Sequence, residues 1–483
     1  MPSSFLSLFP GVLGNLEALK FSLRTGVQMT ETGMDSFSTA LDMTRQFNAL
    51  AMNVFLPFTR LPLPVPTTAD LDKLREVAQE CSEDVLKTST RTLLDPLRLF
   101  HRERCGELEF IKFLTEDPPD QDWTEEYDTA HVILDLPSMR VVDITRKKDH
   151  AIQNYTVVFA PRAGHHSNIA ERVALFLRDQ GLTRVAVVEQ KCAEAVPLAV
   201  GDRRHFEGFP GQVAQYREVL LHLKNRTGFP AHAIAVCQPG PLLISTLILN
   251  PELAKSFGSA GSPMHTEAET GFFTEFSRAV GEPFIDFLVD AFGFTVPDDR
   301  PGAGRKVYDG RMHLLGFYLM GMDQHVRNFK KLLTDLKEGD EASAKRQQAF
   351  YQWYNYVHHF PAGFIRDTYK RVFVRNDLIR GGLRIGDRQV DIADFPESVP
   401  VWALGGTKDD IAPAGQATGH LDMISKVPEE KKLKIICEAG HMGLFRSRKI
   451  LSRYYTRIAE FLLAHSDPVV DPDRIDKNIE LLN

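Results

Sequence analysis

Short, unbroken apolar runs separated by amphipathic stretches constrain this chain more than any other feature. Val157-Val-Phe-Ala160, Val185-Ala-Val-Val188 and Ala233-Ile-Ala-Val236 show no polar alternation. A strand with one wet face alternates, whereas a continuous apolar run is buried on both faces. Between the first two runs, Ile169, Val173, Phe176 and Leu177 recur at helical spacing, and Gly181 is placed to stop that helix. Another helix is expected around 210–225, and a third opens near Pro239, where a first turn tolerates proline. Val399-Pro-Val-Trp-Ala-Leu404 and Leu433-Lys-Ile-Ile436 repeat the strand signal. Ile450, Leu451, Tyr454, Ile458, Phe461 and Leu462 then mark one face of a closing helix. Strands alternating with helices imply a parallel sheet covered on both sides.

Two regions break this rhythm. Residues 1–115 read as a helical N-terminal region, with Phe47, Leu50, Met52 and Val54, then Leu71, Leu74 and Val77, at helical spacing. The run Leu61-Pro-Leu-Pro-Val-Pro66 separates the two stretches, and Glu116–Asp128 reads as an acidic connector. Residues 263–398 are aromatic-rich and mostly helical in period, with Phe272, Phe273, Phe276, Phe284, Phe287, Tyr351, Trp353, Tyr354 and Tyr356. They are expected to form a helical cap inserted over the carboxyl edge of the sheet; a separate small domain is the alternative. The core would then be 130–262 with 399–466, and 467–483 a C-terminal tail. A chain of 483 residues exceeds one compact core, which suits this division.

Composition excludes several classes. A net charge of −7 argues against a nucleic-acid binder, which would show a basic face. No window approaches the roughly 18 uncharged apolar residues of a membrane span. The first residues lack the charged start and small-residue cleavage site of a signal peptide. Cys81, Cys105, Cys192, Cys237 and Cys437 are scattered, with no metal-ligand spacing and no disulfide framework. A reducing cytoplasm is therefore expected, and neither a metal nor another cofactor is called for.

The chemistry is carried by three loops. Ile234-Ala-Val-Cys-Gln-Pro-Gly240 places Cys237 between the end of a strand and the start of a helix. That is the position of a nucleophile elbow, whose neighbours two residues away must be small. Ala235-x-Cys-x-Pro239 fits in part, and an inert packing cysteine is the alternative. Gly405-Gly-Thr-Lys-Asp-Asp-Ile411 follows a later strand and offers Asp409 as the acid, with Asp410 as runner-up. Cys437-Glu-Ala-Gly-His-Met-Gly443 leaves His441 in a loop bare enough for its ring to swing towards the elbow. The order Cys237, Asp409, His441 is that of nucleophile, acid and histidine in α/β-hydrolases. His441 would take the thiol proton or hold a thiolate as its ion pair, and Asp409 would fix the imidazole tautomer. The Gln238 N–H is one expected oxyanion donor. Ala163-Gly-His-His166 should supply the other, through Gly164 or His165. Cys437 is read as a buried strand cysteine rather than a redox partner of Cys237.

At these residues the sequence resembles the intracellular poly(3-hydroxybutyrate) depolymerases. The resemblance runs over about 150–465. It rests on Val236-Cys-Gln-Pro239, Ala160-Pro-Arg-Ala-Gly-His-His166, Val196-Pro-Leu-Ala-Val-Gly201, Gly302-Ala-Gly-Arg-Lys-Val-Tyr308, Asp409-Asp-Ile411 and Gly440-His-Met-Gly-Leu-Phe445. Ala163 stands where the family has serine, and Val188-Glu-Gln-Lys-Cys-Ala-Glu-Ala195 departs from its Asp-Trp-x-Asp-Ala-Arg segment. The resemblance implies a cytosolic α/β-hydrolase with a cysteine nucleophile, acting on polyester in storage granules or on a hydroxyacyl ester. A polyester synthase is the sister reading, although Gln238-Pro-Gly240 lacks the glycine pair expected after its cysteine. A non-catalytic granule-associated protein is the third. Whether the acyl acceptor is water or coenzyme A, and whether the chain forms a homo-oligomer, stay open.

Overall fold

The structure, a computed structural model, describes residues 102–103, 105–146, 151–162, 167–205 and 208–469. The expectations for Phe47 to Val77, the proline-rich run, Ala163–His166 and most of the tail lie outside those residues. The chain divides into two compact units. The smaller takes in 321–352 and the described residues up to Pro119, among them a helix over 105–115. The larger comprises 120–320 and 353–483.

An eight-stranded sheet organises the larger unit. Its strands are β1 (Val132–Asp135), β2 (Met139–Asp143), β3 (Thr156–Phe159), β4 (Val185–Gln190), β5 (Ala231–Val236), β6 (Ala254–Ala260), β7 (Val401–Gly406) and β8 (Lys432–Cys437). They lie in the order β1-β2-β4-β3-β5-β6-β7-β8. From β4 to β8 every pairing is parallel, while β1–β2 and β2–β4 are antiparallel. This order and sense are those of the α/β-hydrolase fold. The crossovers are helical: α1 (Asn168–Asp179) between β3 and β4, α2 (Phe209–Thr227) before β5, and α3 (Gly240–Leu249) after it. α1 buries Ile169, Ala170, Val173, Ala174 and Leu177 along one stripe. α2 ends at Gly228, whose φ of 78° is the left-handed closure glycine permits.

The apolar runs found in the sequence all fall on sheet strands, with only Ala160, Val399 and Pro400 beyond the strand ends. β6 gave no such signal, because Ala254-Lys-Ser-Phe-Gly-Ser-Ala260 is mixed in polarity. Its glycine explains how it is nonetheless central. A Cβ on Gly258 would lie 1.9 Å from the Trp402 ring, so the fully buried indole of β7 rests directly on the β6 backbone. The closing helix also differs from expectation. It runs through a π-helical segment, Leu451–Tyr455, before Thr456–Ala464. The wider turn rotates the inner face by a residue, so Tyr455 is fully buried while Tyr454 is half-buried.

Between β6 and β7 the larger unit carries α4 (Phe272–Val280), α5 (Glu282–Phe292) and a three-stranded sheet formed by Gly293–Thr295, Lys306–Tyr308 and Phe360–Pro361. Two motifs distant in sequence meet here. Gly302 is so close to the carbonyls of Ala193, Glu194 and Val196 that a Cβ would lie 2.8 Å from the nearest. The buried Arg305 guanidinium donates to the Val196 and Pro197 carbonyls.

Candidate active site

Three loops at the carboxyl ends of β5, β7 and β8 converge. Cys237 follows β5 directly and has a φ of 64°. A left-handed conformation is costly for any residue but glycine and persists only where surrounding contacts enforce it. The Cys237 N–H donates to the Ala260 carbonyl of the neighbouring strand at 2.9 Å, and α3 begins three residues later. The sharp turn therefore exists and Cys237 is at its tip. A close approach is found at Gly240, three residues after the nucleophile. A Cβ there would meet Met264 Sδ at 2.5 Å and Ser262 Cβ at 2.6 Å.

Asp409 sits beyond the end of β7, buried, with its carboxylate fully engaged. Oδ1 accepts the Ile411 and Ala412 N–H groups at 3.0 and 2.9 Å. Oδ2 faces His441 Nδ1 at 2.8 Å. Asp410 is exposed and makes no such contact. Because an ionised carboxylate only accepts, Nδ1 carries the proton, which leaves Nε2 of a neutral ring as the acceptor. Nε2 faces Cys237 Sγ at 3.1 Å. Burial alone would depress the imidazole. The Asp409 carboxylate and the Cys237 sulfur outweigh it and hold His441 well above the usual histidine value. Its ring packs edge-on against Phe445, with centroids 5.4 Å apart. Gly261 makes room on the other side: its φ is 54°, and a Cβ would approach His441 Cε1 to 3.3 Å and Leu444 to 3.0 Å.

The structure thus brings together Cys237, Asp409 and His441. It places the Gln238 N–H at the start of α3, where no acceptor is found among the described residues. Gly164 and His165, the other oxyanion candidates, lie outside the described residues. Cys437 closes β8, buried, and both burial and the neighbouring Asp409 push its thiol up. Sequence reasoning missed Gly261, a lone glycine with no motif around it, and the Gln238 side chain, whose amide oxygen accepts the Arg162 N–H at 2.9 Å. Among the described residues no cluster of His, Cys, Asp or Glu could hold a metal ion. No helix among them is long and apolar enough to cross a membrane.

Such a constellation can perform acyl transfer: a nucleophile on a strained turn, a base one hydrogen bond away, and an acid that fixes the base. Residues 261–466 match the family model described as PHB de-polymerase C-terminus, a range that holds Asp409 and His441 and leaves Cys237 outside. No curated protein matches the chain. Among solved structures, a soluble variant of monoglyceride lipase from Saccharomyces cerevisiae is 12% identical, with 74% of this chain and 98% of that one covered at a TM-score of 0.43. The monoacylglycerol lipase of Paleococcus ferrophilus is 12% identical, with 68% and 99% covered at 0.36. A 2-hydroxy-6-oxo-6-phenylhexa-2,4-dienoate hydrolase from Rhodococcus sp. strain RHA1 is 13% identical, with 68% and 94% covered at 0.34. At these TM-scores the likeness carries no argument, and the fold rests on the strand order above. By this match, the C-terminal part of the chain, with Asp409 and His441 in it, is similar to the C-terminal region of PHB depolymerases.

Proposed function

We propose that the protein is an intracellular polyhydroxyalkanoate depolymerase, with Cys237 as nucleophile, His441 as acid and base, and Asp409 as the group that orients His441. The observation that carries this reading is Cys237 at φ 64° with its sulfur 3.1 Å from His441 Nε2. A buried cysteine of no function needs neither the strain nor the imidazole. In the reaction, the Cys237 thiolate attacks the ester carbonyl carbon and the electron pair moves onto oxygen. Collapse breaks the carbon–oxygen bond, and the leaving alkoxide takes its proton from His441 Nε2. Water, deprotonated by the same nitrogen, then attacks the thioester carbon; the carbon–sulfur bond breaks and the hydroxyacid leaves. Cys237→Ala should abolish ester hydrolysis with the thermal midpoint unchanged. Near wild-type turnover in that variant would sink the mechanism.

A polymeric substrate fits the surface of α4 and α5. Phe272 is 64% exposed, Phe276 39% and Phe287 37%, and Phe272 stacks on Phe276 with centroids 6.2 Å apart. This face is bolted to the acid loop. Glu269 accepts the Gly415 N–H at 2.6 Å, and Gln416 donates to the Glu269 carbonyl and to Thr274 Oγ1. Gly271 packs so tightly that a Cβ would lie 2.8 Å from Pro413 Cγ. A neutral polyester on a granule is an apolar surface, and exposed aromatics beside the site suit it. Phe272→Ser with Phe276→Ser should lower adsorption to amorphous polyhydroxybutyrate and its hydrolysis by about 3- to 10-fold, as loss of partial aromatic burial would. Cleavage of a soluble hydroxybutyrate ester should hold. Equal loss on both substrates would assign the two rings to the folded core instead. Cys192, Cys237 and Cys437, none of them in a disulfide, and the granule substrate together favour the cytoplasm.

A further inference from the structure

The Gln238 side chain has no part in the chemistry above, yet it is the residue next to the nucleophile and its amide spans to another loop. Oε1 accepts the backbone N–H of Arg162 at 2.9 Å. A backbone N–H can only donate, so this contact fixes which end of the amide faces the loop. Arg162 lies three residues beyond the end of β3, where the chain leaves the sheet. Its own side chain, 4% exposed, is tied down in turn. One terminal nitrogen donates to the Lys191 carbonyl just past β4 at 2.8 Å, and the other to the Ser138 carbonyl just before β2 at 2.9 Å. The Arg162 guanidinium also lies 5.8 Å from the Phe364 ring centroid. The chain emerging from β3 is therefore braced from the sheet side by its guanidinium and from the elbow side by Gln238.

In this fold an oxyanion is held by the N–H following the nucleophile and by an N–H from the loop after β3. Such donors work only within a few tenths of an ångström of the developing charge. We propose that Gln238, whose backbone N–H stands where this fold puts an oxyanion donor, also works through its side chain, a positioning strut that holds the elbow at a fixed distance from Arg162. The strut does not touch substrate. It holds the Gln238 N–H against a residue that is itself tied to the ends of β4 and β2. This rests on the catalytic reading of Cys237 and adds a residue to it.

Gln238→Met keeps the length and removes the acceptor. On a soluble 3-hydroxybutyrate ester, kcat should fall by about 10- to 100-fold, the cost of sub-ångström to ångström misplacement, with KM within about 2-fold. Alkylation of Cys237 by iodoacetamide passes through no oxyanion and should proceed at the wild-type rate. Gln238→Glu restores an oxygen acceptor towards Arg162 and should recover part of the lost kcat. Wild-type kcat in Gln238→Met overturns the proposal. So does a parallel loss of alkylation rate, because the residue would then act through Cys237 and His441. So does a glutamate variant no better than methionine. Gln238→Ala, read in the same way, carries the test if the methionine variant does not fold. Cys237→Ala is measured alongside: turnover surviving in that variant refutes the catalytic reading itself, and the strut with it.

Discussion

β5 has a histidine near one end and a cysteine beyond the other, and the two ends of the sheet treat their imidazoles in opposite ways. At the amino end, His232 is fully buried between two hydroxyls, Ser256 Oγ at 2.8 Å and Ser466 Oγ at 2.9 Å. Ser466 donates its own proton to the Leu462 carbonyl, so it accepts from Nε2–H, and Nδ1 accepts from Ser256. Burial, with Lys255 nearby, pushes this histidine down to about 3. At the carboxyl end, His441 is nearly as buried, with 9% of its side chain exposed, but Asp409 and Cys237 face its two nitrogens. There the shift is upward. The proton positions differ as well: His232 carries Nε2–H alone, whereas His441 turns an Nδ1–H to the carboxylate. Burial alone makes a histidine neutral and inert. A carboxylate on one side and a thiol on the other make it a proton carrier.

The comparison is most severely tested by removing the carboxylate. Asp409→Asn should cost on the order of 10⁴ in turnover, as loss of the orienting acid does in the best-studied triad. An asparagine amide can present its N–H₂ and so favour the wrong tautomer. Asp410→Asn, on an exposed side chain, should change turnover by no more than about 2-fold, the scale of a neutral surface substitution. Steady-state kinetics on one soluble ester compares both. The reverse ranking would move the acid by one residue and remove the reason for the raised His441.

A smaller effect is expected at the other end of β5. Below pH 6.5 the unfolded chain protonates His232 while the native state, with its value near 3, does not. The unfolded state then binds more protons, so stability rises with pH across this window and is lost as pH falls from about 6.5 towards 3. The buried His420 is likewise pushed down to about 3 and acts in the same direction. His232→Asn should flatten the pH dependence of the urea midpoint between these limits. It should also cost about 1–2 kcal/mol at pH 7 through the two hydroxyl contacts. An unaltered slope would mean that His232 does not contribute to acid sensitivity, and the contrast with His441 would lose one arm.

Much of this was legible from residues in order. The buried runs placed five strands of the sheet, and the sequence positions of Cys237, Asp409 and His441 at strand ends marked three loops that do meet. Of the two neighbouring acids, Asp409 is the one whose carboxylate faces His441. β1 and β2 were not picked out, since the hairpin lies at the sheet edge and its apolar runs, Val132–Leu134 and Val141–Val142, are short. β6 was invisible for a different reason: its Gly258 is suited to the Trp402 indole, a partner supplied by β7 far along the chain.

What the sequence determined by itself is the period of burial and the order of chemical groups along the chain, because these depend on neighbours within a few residues. Tertiary structure alone decided the rest. Whether a cysteine after a strand is strained and reactive depends on φ and on a ring 3.1 Å away. Whether a glutamine beside it is idle or a brace depends on an N–H from another loop. Whether a buried histidine is neutral or charged depends on which oxygen and sulfur atoms the fold brings to its two nitrogens. Each is a through-space distance between segments remote in sequence, and no local pattern encodes a distance of that kind.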